Sequence, residues 1–363
     1  MHIIINLQKL NTAIKNVERI VSKNISLPIL NTILIKTEKG GARLSATNLE
    51  LGLNYWVGAK IEKEGEIAVP ARIISSFLSN INDEKITLIA ENNTLKISSD
   101  YYKTKVLCFD TKDFPIIPKV KRENIIKINS LTLKNGLLSV IDSTLMSETR
   151  PELAGIYINI NGNKIEFAAT DSFRLSEKIT SIGTNNLKKQ FIIPKNTSIE
   201  IIRLMDGSEG DVNLTVSDNQ IVIFNEDFEL ISRLVDGHYP DYKKIIPDKT
   251  VSVARFNKAN FEKNIRTAGI FSSSIYDVKL KVNGEKTEIN AQNNDRGELV
   301  ANIPSELKNK PFEVLLNYNY LLDGLKNIPT ENVIMHYTGD GSPLLLKPEN
   351  QNDYVYLIMP LRS

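Results

Sequence analysis

The sequence has 363 residues, with 45 Lys and Arg against 43 Asp and Glu, a formal net charge of +2 and 41% hydrophobic residues. At about 150 residues per domain this length indicates two or three domains, and the balanced composition excludes a disordered acidic or polybasic chain. Cys108 is the only cysteine, which excludes internal disulfides and a cysteine-rich zinc module and favours a reducing compartment, the cytoplasm. Neither a secretory leader pattern nor an apolar run of about 18 residues occurs, so no membrane span is expected.

Six helical stretches are predicted along the chain, two in each third. Asn6, Ser130 and Asn257 are suited to cap the first helix of each third. Pro70 and Pro194 suit the start of the second helix, whereas the third copy has no proline there. The predicted helices cover 6–23, 70–81, 129–145, 194–206, 257–271 and 317–328.

Landmarks between these helices recur with a period of about a third of the chain. Alternating strands turn at glycines that lie 122 residues apart, at Gly40, Gly162 and Gly284. An aromatic residue or Met precedes proline at Phe114-Pro115, Tyr239-Pro240 and Met359-Pro360. The repeat predicts an α+β fold of three similar domains, each with two helices packed on antiparallel sheets of roughly eight short strands. Proline and charge interrupt the patterns near 115–124 and 240–250, which gives domains 1–119, 120–247 and 248–363.

Positive charge is concentrated in the helices. In the first helix the apolar residues fall within an arc roughly 80° wide, and Lys9, Lys15, Arg19 and Lys23 lie on the opposite side. The six helical stretches sum to +6, against −4 for the rest of the chain. Lys and Arg placed in this way attract backbone phosphates without reading bases, which predicts sequence-independent nucleic-acid binding. For the first helix alone, a solvated basic face is the simpler interpretation.

Motifs for catalysis or metal binding are missing from the sequence. His2, His238 and His336 are isolated, GEKT at 284–287 lacks the first glycine of a phosphate-binding loop, and DGSEG at 206–210 does not match a nucleophile elbow. Asp171 could act as a general base, although a carboxylate after a strand is more often a turn or cap residue. We therefore predict no enzyme, no metal and no cofactor.

Six motifs, in order and on the predicted period, carry a resemblance to a known family. They are SLPILNTILI at 26–35, LSATNLEL at 44–51, RPELAGIYI at 150–158, AATDSFRLSEK at 168–178, LVDGHYPDYKKIIP at 234–247 and MPLRS at 359–363. Together the motifs resemble the bacterial replicative sliding clamps, the beta subunits of DNA polymerase III. The resemblance implies a head-to-tail homodimer, a ring of six similar domains whose helices line a hole around duplex DNA. Such a subunit tethers the replicative polymerase and other replication and repair proteins and confers processivity, without an active site of its own.

The resemblance also implies DNA-facing residues on the helices and beside the RPEL motif. Asn24 stands where many family members carry Arg, so Lys23 is the expected contact there. The expected DNA contacts are Lys9, Lys15, Arg19, Lys23, Arg72, Lys134, Arg150, Arg203, Lys263 and Arg266.

A cleft between the second and third domains is the family's binding site for a short hydrophobic motif. Its expected partners are the polymerase alpha subunit, the clamp loader and other proteins that carry such a motif. Phe173 and Lys244 differ from the commonest family residues, which are a small polar residue or His and an Arg. The cleft residues are Leu153, Thr170, Ser172, Phe173, Arg174, Leu175, Pro240, Lys244, Ile245, Pro343, Leu357, Met359, Pro360, Leu361 and Arg362. For Leu153, Leu175 and Ile245 an ordinary core position is the alternative.

The ring interface is expected to join strand edges of the first domain and of the partner's third domain. One side comprises Lys103, Lys105, Val106 and Cys108, and the other comprises Ile270, Phe271, Asp295 and Glu298. Cys108 is then an interface hydrophobe. Two alternatives from other classes are an enzyme with its site between repeats and a monomeric β-repeat scaffold or adhesin.

Overall fold

The structure is a computed structural model that describes residues 1–21, 26–38, 40–146, 149–183, 185 and 187–362. Within these residues the chain forms six α-helices and 25 β-strands. The helices are α1 (Leu7–Glu18), α2 (Ala71–Ser79), α3 (Ser130–Ile141), α4 (Lys195–Leu204), α5 (Lys258–Gly269) and α6 (Tyr318–Lys326). The strands are β1 (His2–Asn6), β2 (Thr32–Glu38), β3 (Gly41–Thr47), β4 (Leu51–Lys63), β5 (Glu66–Pro70), β6 (Lys85–Glu91), β7 (Thr94–Ser98), β8 (Lys103–Leu107), β9 (Ile126–Asn129), β10 (Gly155–Asn161), β11 (Lys164–Thr170), β12 (Arg174–Ser181), β13 (Lys188–Pro194), β14 (Asp211–Val216), β15 (Gln220–Phe224), β16 (Phe228–Arg233), β17 (Ser252–Asn257), β18 (Asp277–Asn283), β19 (Lys286–Asn293), β20 (Gly297–Pro304), β21 (Glu306–Asn309), β22 (Phe312–Asn317), β23 (Asn332–Tyr337), β24 (Leu344–Pro348) and β25 (Tyr354–Ile358).

All six predicted helices are confirmed, although each is shorter than predicted. Asn6 and Asn257 cap α1 and α5 as expected, because each side chain accepts a hydrogen bond from a first-turn amide at 3.1 Å. Asn317 caps α6 in the same way, although no proline marks the start of this helix. The prediction for Ser130 was wrong: its hydroxyl donates to the carbonyls of Ser208 and Gly210, and it is the residue before it that accepts from the Leu131 amide.

One compact unit comprises residues 1–131 and 199–234. Its twelve-stranded sheet has the order β8-β7-β6-β1-β4-β16-β15-β14-β9, with β2, β3 and β5 joined beside β4. Helices α1 and α2 pack against each other, and α1 also packs on β3 and β4. The buried face of α1 consists of Leu7, Leu10, Ala13, Ile14 and Val17, which matches the predicted apolar arc.

The other compact unit comprises residues 132–198 and 235–363. It contains a nine-stranded sheet of order β13-β10-β11-β12-β25-β24-β23-β17-β21 and a four-stranded sheet of order β20-β19-β18-β22. Helices α5 and α6 pack against each other, α5 on β19 and β20, and α6 on β22 and β25. Phe256, Phe261, Leu321 and Tyr356 are among the side chains buried in the resulting core.

Strand pairing between consecutive repeats explains why the chain has two compact units while its sequence has three repeats. Strand β4 of the first repeat pairs with β16 of the second, and β12 of the second repeat pairs with β25 of the third. The strands of the second repeat are therefore divided between the twelve-stranded sheet and the nine-stranded sheet.

Candidate functional site

The loop between β11 and β12 has a fixed shape because two polar side chains bond its backbone. The Thr170 hydroxyl donates to the Arg174 carbonyl at 2.7 Å and accepts from the Ser172 amide at 3.2 Å. Asp171 accepts from the amides of Phe173 at 2.9 Å and Arg174 at 3.0 Å. Asp171 is thus a turn residue, the commoner role for a carboxylate after a strand. The turn leaves the Phe173 residue 60% exposed.

The Arg174 side chain is only 12% exposed and is held from three sides. Its Nε atom lies 3.0 Å from Asp171 Oδ2, and its Nη1 atom donates to Asp323. The guanidinium carbon lies 4.3 Å from the ring centroid of Tyr320. Tyr320 and Asp323 both belong to α6, and sequence reasoning missed them because nothing local pairs them with Arg174.

Apolar residues from β12 and β25 form the floor beside this loop. Leu175 pairs with Leu357 across the two strands, and both are buried in a cluster against which Met359 packs. The Met359 amide donates to the Phe173 carbonyl at 2.8 Å, which fixes the chain end to the loop. Ile245, another predicted cleft residue, is 47% exposed. Leu175 is thus buried, whereas Ile245 is open to solvent.

The remaining predicted cleft residues occupy several places around this floor. Leu153 is buried, as the core alternative expects, and its carbonyl accepts from the Leu145 amide at 2.9 Å. Lys244 is highly exposed and its ammonium lies 2.9 Å from Asp241. The Pro240 carbonyl accepts from the Tyr242 amide, and the Pro343 carbonyl accepts from the Thr338 hydroxyl. A cavity of 610 Å³ is lined by residues that include Met359, Pro360, Leu361 and Arg362.

The predicted DNA-facing residues are mostly exposed side chains of helices. Lys9 and Lys15 on α1, Arg19 directly after it, Arg72 on α2 and Lys263 on α5 are exposed, and Lys134 on α3 is half-buried. Arg203 and Arg266 are exposed but pair with Glu200 at 2.6 Å and Glu262 at 2.7 Å on their own helices. Arg150 lies 3.3 Å from Glu152. Lys23 and its neighbour Asn24 lie outside the described residues.

Strand β8 ends the order of the twelve-stranded sheet and exposes an edge. Lys103 and Lys105 are exposed there, but Val106 is buried in its own unit and Leu107, 79% exposed, presents the apolar side chain instead. Cys108 is half-buried, and burial raises the pKa of its thiol to about 11. An uncharged thiol is weakly reactive, in agreement with the expected role of a hydrophobe.

Strand β20 ends the order of the four-stranded sheet and exposes a second edge. Asp295 and Glu298 are exposed beside it, together with Val300 and, after α5, Ile270. Phe271 is half-buried and packs on the core of its unit. This edge carries two carboxylates and one cation, Arg296, whose guanidinium donates to the Ile270 carbonyl at 3.3 Å, whereas β8 carries two lysines.

The described residues lack two kinds of feature. They contain no group of three or more His, Cys, Asp and Glu side chains arranged to hold a metal ion. None of the helices in this part of the chain has both the length and the apolarity that a membrane crossing needs.

Family models cover almost the whole chain. The N-terminal domain of the DNA polymerase III beta subunit matches residues 1–118, the central domain matches 127–241, and the C-terminal domain matches 243–362. The chain belongs to the DNA polymerase III beta subunit family. The beta sliding clamp of Rickettsia bellii is 28% identical over the full length of both chains, and that of Synechococcus elongatus is 27% identical over 100% of this chain and 99% of the relative.

Solved structures of beta subunits share the fold. The DNA polymerase sliding clamp of Bacillus subtilis superposes with a TM-score of 0.96 at 23% identity, covering 100% of this chain and 99% of that chain. The beta subunit of Thermotoga maritima gives a TM-score of 0.94 at 22% identity, with the same coverage. The predicted α+β fold of three clamp domains is confirmed.

The function follows from this membership. The chain is a DNA sliding clamp, a processivity subunit of DNA polymerase III without a catalytic site of its own.

Proposed function

We propose that two copies of this chain close into a head-to-tail ring around duplex DNA. The two exposed strand edges support this arrangement, because β8 carries Lys103 and Lys105 and the edge at β20 carries Asp295 and Glu298. Pairing β8 of one protomer with β20 of its partner extends both sheets and brings opposite charges together. It also covers the exposed Leu107, which a solitary protomer leaves in water.

The exposed basic side chains of the helices are the proposed contacts with DNA. Lys9 and Lys15 lie on the side of α1 opposite its buried face, and Arg19 follows at the C-terminal end of the helix. Such residues neutralise phosphates without contacting base edges, so binding does not depend on sequence. A closed ring cannot leave the duplex sideways, and weak phosphate contacts therefore suffice for retention while permitting sliding.

The floor of Leu175, Leu357 and Met359 is the proposed site for partner proteins. Phe173 and Ile245 are exposed apolar side chains that an extended hydrophobic peptide can cover. The proposed partners are the polymerase alpha subunit, the clamp loader and other proteins with a short hydrophobic motif. Arg174 stays in its ion pairs with Asp171 and Asp323 and acts as part of the wall.

The domain boundaries and the location belong to the same proposal. Residues 1–119, 120–247 and 248–363 form the three domains, since the interrupting prolines fall near residues 115 and 247. The site of action is the cytoplasm, where bacterial duplex DNA lies.

Retention on circular DNA tests the ring directly. The clamp is assembled by its loader on nicked circular DNA, half of the sample is linearised, and both halves are passed through gel filtration in moderately high salt. We expect retention on circles and loss from linear DNA, because only an open end releases a ring.

Two other results contradict the proposal. Equal loss from circles and linear DNA indicates an ordinary electrostatic binder. Equal, salt-resistant retention on both indicates direct recognition of DNA rather than encirclement.

A further inference from the structure

A second cavity, of 660 Å³, lies beside the candidate cleft and shares Pro240 with it. Its walls come from β10, β11, β13 and the segment Gly237–Lys243. Tyr157 of β10 and Tyr239 of that segment pack against the same buried cluster that contains Leu175 and Leu357. The cavity and the candidate cleft therefore flank one apolar cluster and have Pro240 in common.

Aromatic rings form one wall of this cavity. Tyr157 and Tyr239 are stacked with their ring centroids 5.0 Å apart, and Tyr242 meets Tyr157 edge to face at 5.9 Å. The Tyr242 hydroxyl donates to the buried Glu177 at 2.6 Å, which fixes its ring in place. Ring faces of this kind attract cations.

A carboxylate lies against these rings. Glu166 is 16% exposed and accepts hydrogen bonds from Asn159 Nδ2 at 3.0 Å and Lys243 Nζ at 2.9 Å. Burial, together with the negative charges of Glu166 and Asp241, raises the pKa of the Tyr157 phenol. Both carboxylates therefore act electrostatically on the aromatic wall.

The equivalent strand positions of the other repeats are neutralised within their own sheets. In the third repeat, Lys281 faces both Glu288 and Glu313, and its ammonium lies 3.0 Å from Glu288. Glu313 pairs with Lys279 at 2.6 Å. In the first repeat the same central position is Lys36, which faces Glu66 and pairs with it at 2.8 Å.

The second repeat replaces this central lysine with Asn159, which faces Glu166 and Gln190. Tyr157 likewise stands where the third repeat has Lys279. The fold thus forms without the tyrosine, and within the sheet Glu166 faces a carboxamide where its counterpart Glu288 faces a lysine. Its ammonium partner, Lys243, comes from the covering segment and is 51% exposed, so it can move into water when another cation arrives.

We propose that this cavity binds a basic side chain, Arg or Lys, of the same partner segment whose hydrophobic motif occupies the candidate cleft. The Glu166 carboxylate pairs with the cation, and the tyrosine faces contact its apolar and charged surface. The inference rests on the proposed partner site and extends it, because partners with a basic residue next to their motif bind more tightly. Two neighbouring sites of different chemistry give one partner segment a fixed direction.

A pair of peptides tests the inference on the full-length clamp. Both carry a fluorescein label and the hydrophobic segment of the polymerase alpha subunit, followed on either side by a Gly-Ser linker of graded length and then Arg or Gln. We expect the Arg peptide to bind about fivefold more tightly than the Gln peptide at the best linker length. In Glu166→Gln this difference disappears while the affinity for the Gln peptide is unchanged.

Two further variants make the result specific. Glu288→Gln changes the carboxylate in the same register of the third repeat, where Lys281 neutralises it, and it retains the difference between the peptides. Lys243→Ala removes the competing ammonium and is expected to increase the difference in affinity between the Arg and Gln peptides. If Glu166→Gln does not fold, this variant provides the test, and an unchanged difference contradicts the inference.

Equal binding of the Arg and Gln peptides to the unmodified clamp overturns the inference. A fivefold difference that survives in Glu166→Gln overturns it as well, because the cation then binds elsewhere. If the Gln peptide itself fails to bind, the proposed cleft is wrong and the inference falls with it, an outcome distinct from the other two.

Discussion

Two side chains shape the loop at the candidate cleft, and the first repeat uses the same pair. Thr47 and Asn48 make the bonds that Thr170 and Asp171 make, with the Asn48 side chain accepting from the Glu50 amide at 3.1 Å and the Leu51 amide at 2.8 Å. Leu49 and Ser172 have nearly equal φ values, 79° and 78°. The backbone is thus a shared scaffold, and the side chains upon it determine what binds.

Phe173 stands where the first repeat has Glu50, which suggests a direct test of its role. Phe173→Glu removes an exposed apolar contact without disturbing the loop, so we expect about a tenfold loss of affinity for a hydrophobic partner peptide. Fluorescence anisotropy measures the affinity, and thermal unfolding checks that the fold is intact. Glu50→Ala is the matched control and leaves the affinity unchanged. A Phe173→Glu variant with full affinity contradicts the proposed role.

The chemistry of Cys108 gives a second prediction for a single residue. Burial raises the pKa of its thiol to about 11 from 9.0, so the thiolate fraction near neutral pH falls. Because alkylation requires the thiolate, iodoacetamide is expected to react about a hundredfold more slowly than with a free thiol. Mass spectrometry of timed samples gives the rate, and guanidinium restores ordinary reactivity. Fast alkylation of the folded protein contradicts this expectation.

Part of the site could be predicted from single residues. Strand alternation points Lys103, Lys105 and Leu107 to one side and Val106 to the other, so the buried position of Val106 was within reach of the sequence. The contact of Arg174 with Asp323 was not, because 149 residues separate them and only the packing of α6 brings them together. The pairing of Glu166 with Asn159 instead of a lysine also depends on strand register, which sequence patterns do not fix.

At the scale of elements, helix α6 packs very closely on β25. A Cβ atom added at Gly324 would lie 2.3 Å from Tyr356 Cδ1, and one added at Gly136 in α3 would lie 2.3 Å from Phe167. These glycines allow an aromatic ring of the sheet to contact the helix backbone. The sequence predicted the helices from periodicity and caps, but it gave no reason for a glycine inside them.

Gly324→Ala is expected to destabilise the protein by about 2 kcal/mol, because Tyr356 is buried and cannot move away from the added methyl group. Urea unfolding followed by circular dichroism measures the change. Gly183→Ala is the matched control, since a Cβ there meets nothing within 4 Å. Equal stability of the two variants contradicts the packing argument.

The exposed charges of α1 give a prediction for DNA binding. Lys9→Glu combined with Lys15→Glu is expected to weaken binding to duplex DNA at low salt and to flatten its salt dependence. The slope of log K against log salt falls by about 0.9 for each phosphate contact that is lost. Fluorescence anisotropy over a salt series measures both quantities. Lys60→Glu, an exposed change on β4, is the control, and an equal effect of that change contradicts a specific role for α1.

At the scale of the whole molecule, ring closure depends on two short strand edges. Leu107→Asp places a charge in the proposed interface and is expected to raise the dimer Kd about 30-fold. Sedimentation equilibrium measures that constant. Ile116→Asp, which changes a side chain that is 92% exposed and lies on neither edge, leaves the constant unchanged. A Leu107→Asp dimer of normal stability contradicts the pairing of β8 with β20.

The three-fold repeat was visible in the sequence because turn glycines and prolines recur at a fixed spacing. The grouping of the chain into two compact units was not, because it depends on β4 reaching β16 and on β12 reaching β25. Pairings between strands so far apart leave no local trace in the sequence. Sequence periodicity thus predicts the repeated domain, whereas the strand pairs that join consecutive repeats are found only in the three-dimensional structure.

The position of β25 has a consequence for the synthesis of the protein. This strand lies between β12 and β24 in the nine-stranded sheet, yet the ribosome makes it after every other strand of its unit. A nascent chain that lacks Tyr354–Ile358 has a gap at the place where Leu357 completes the apolar floor. An incomplete polypeptide without this strand therefore lacks the finished floor of the proposed partner site, and we expect it not to compete for partners there.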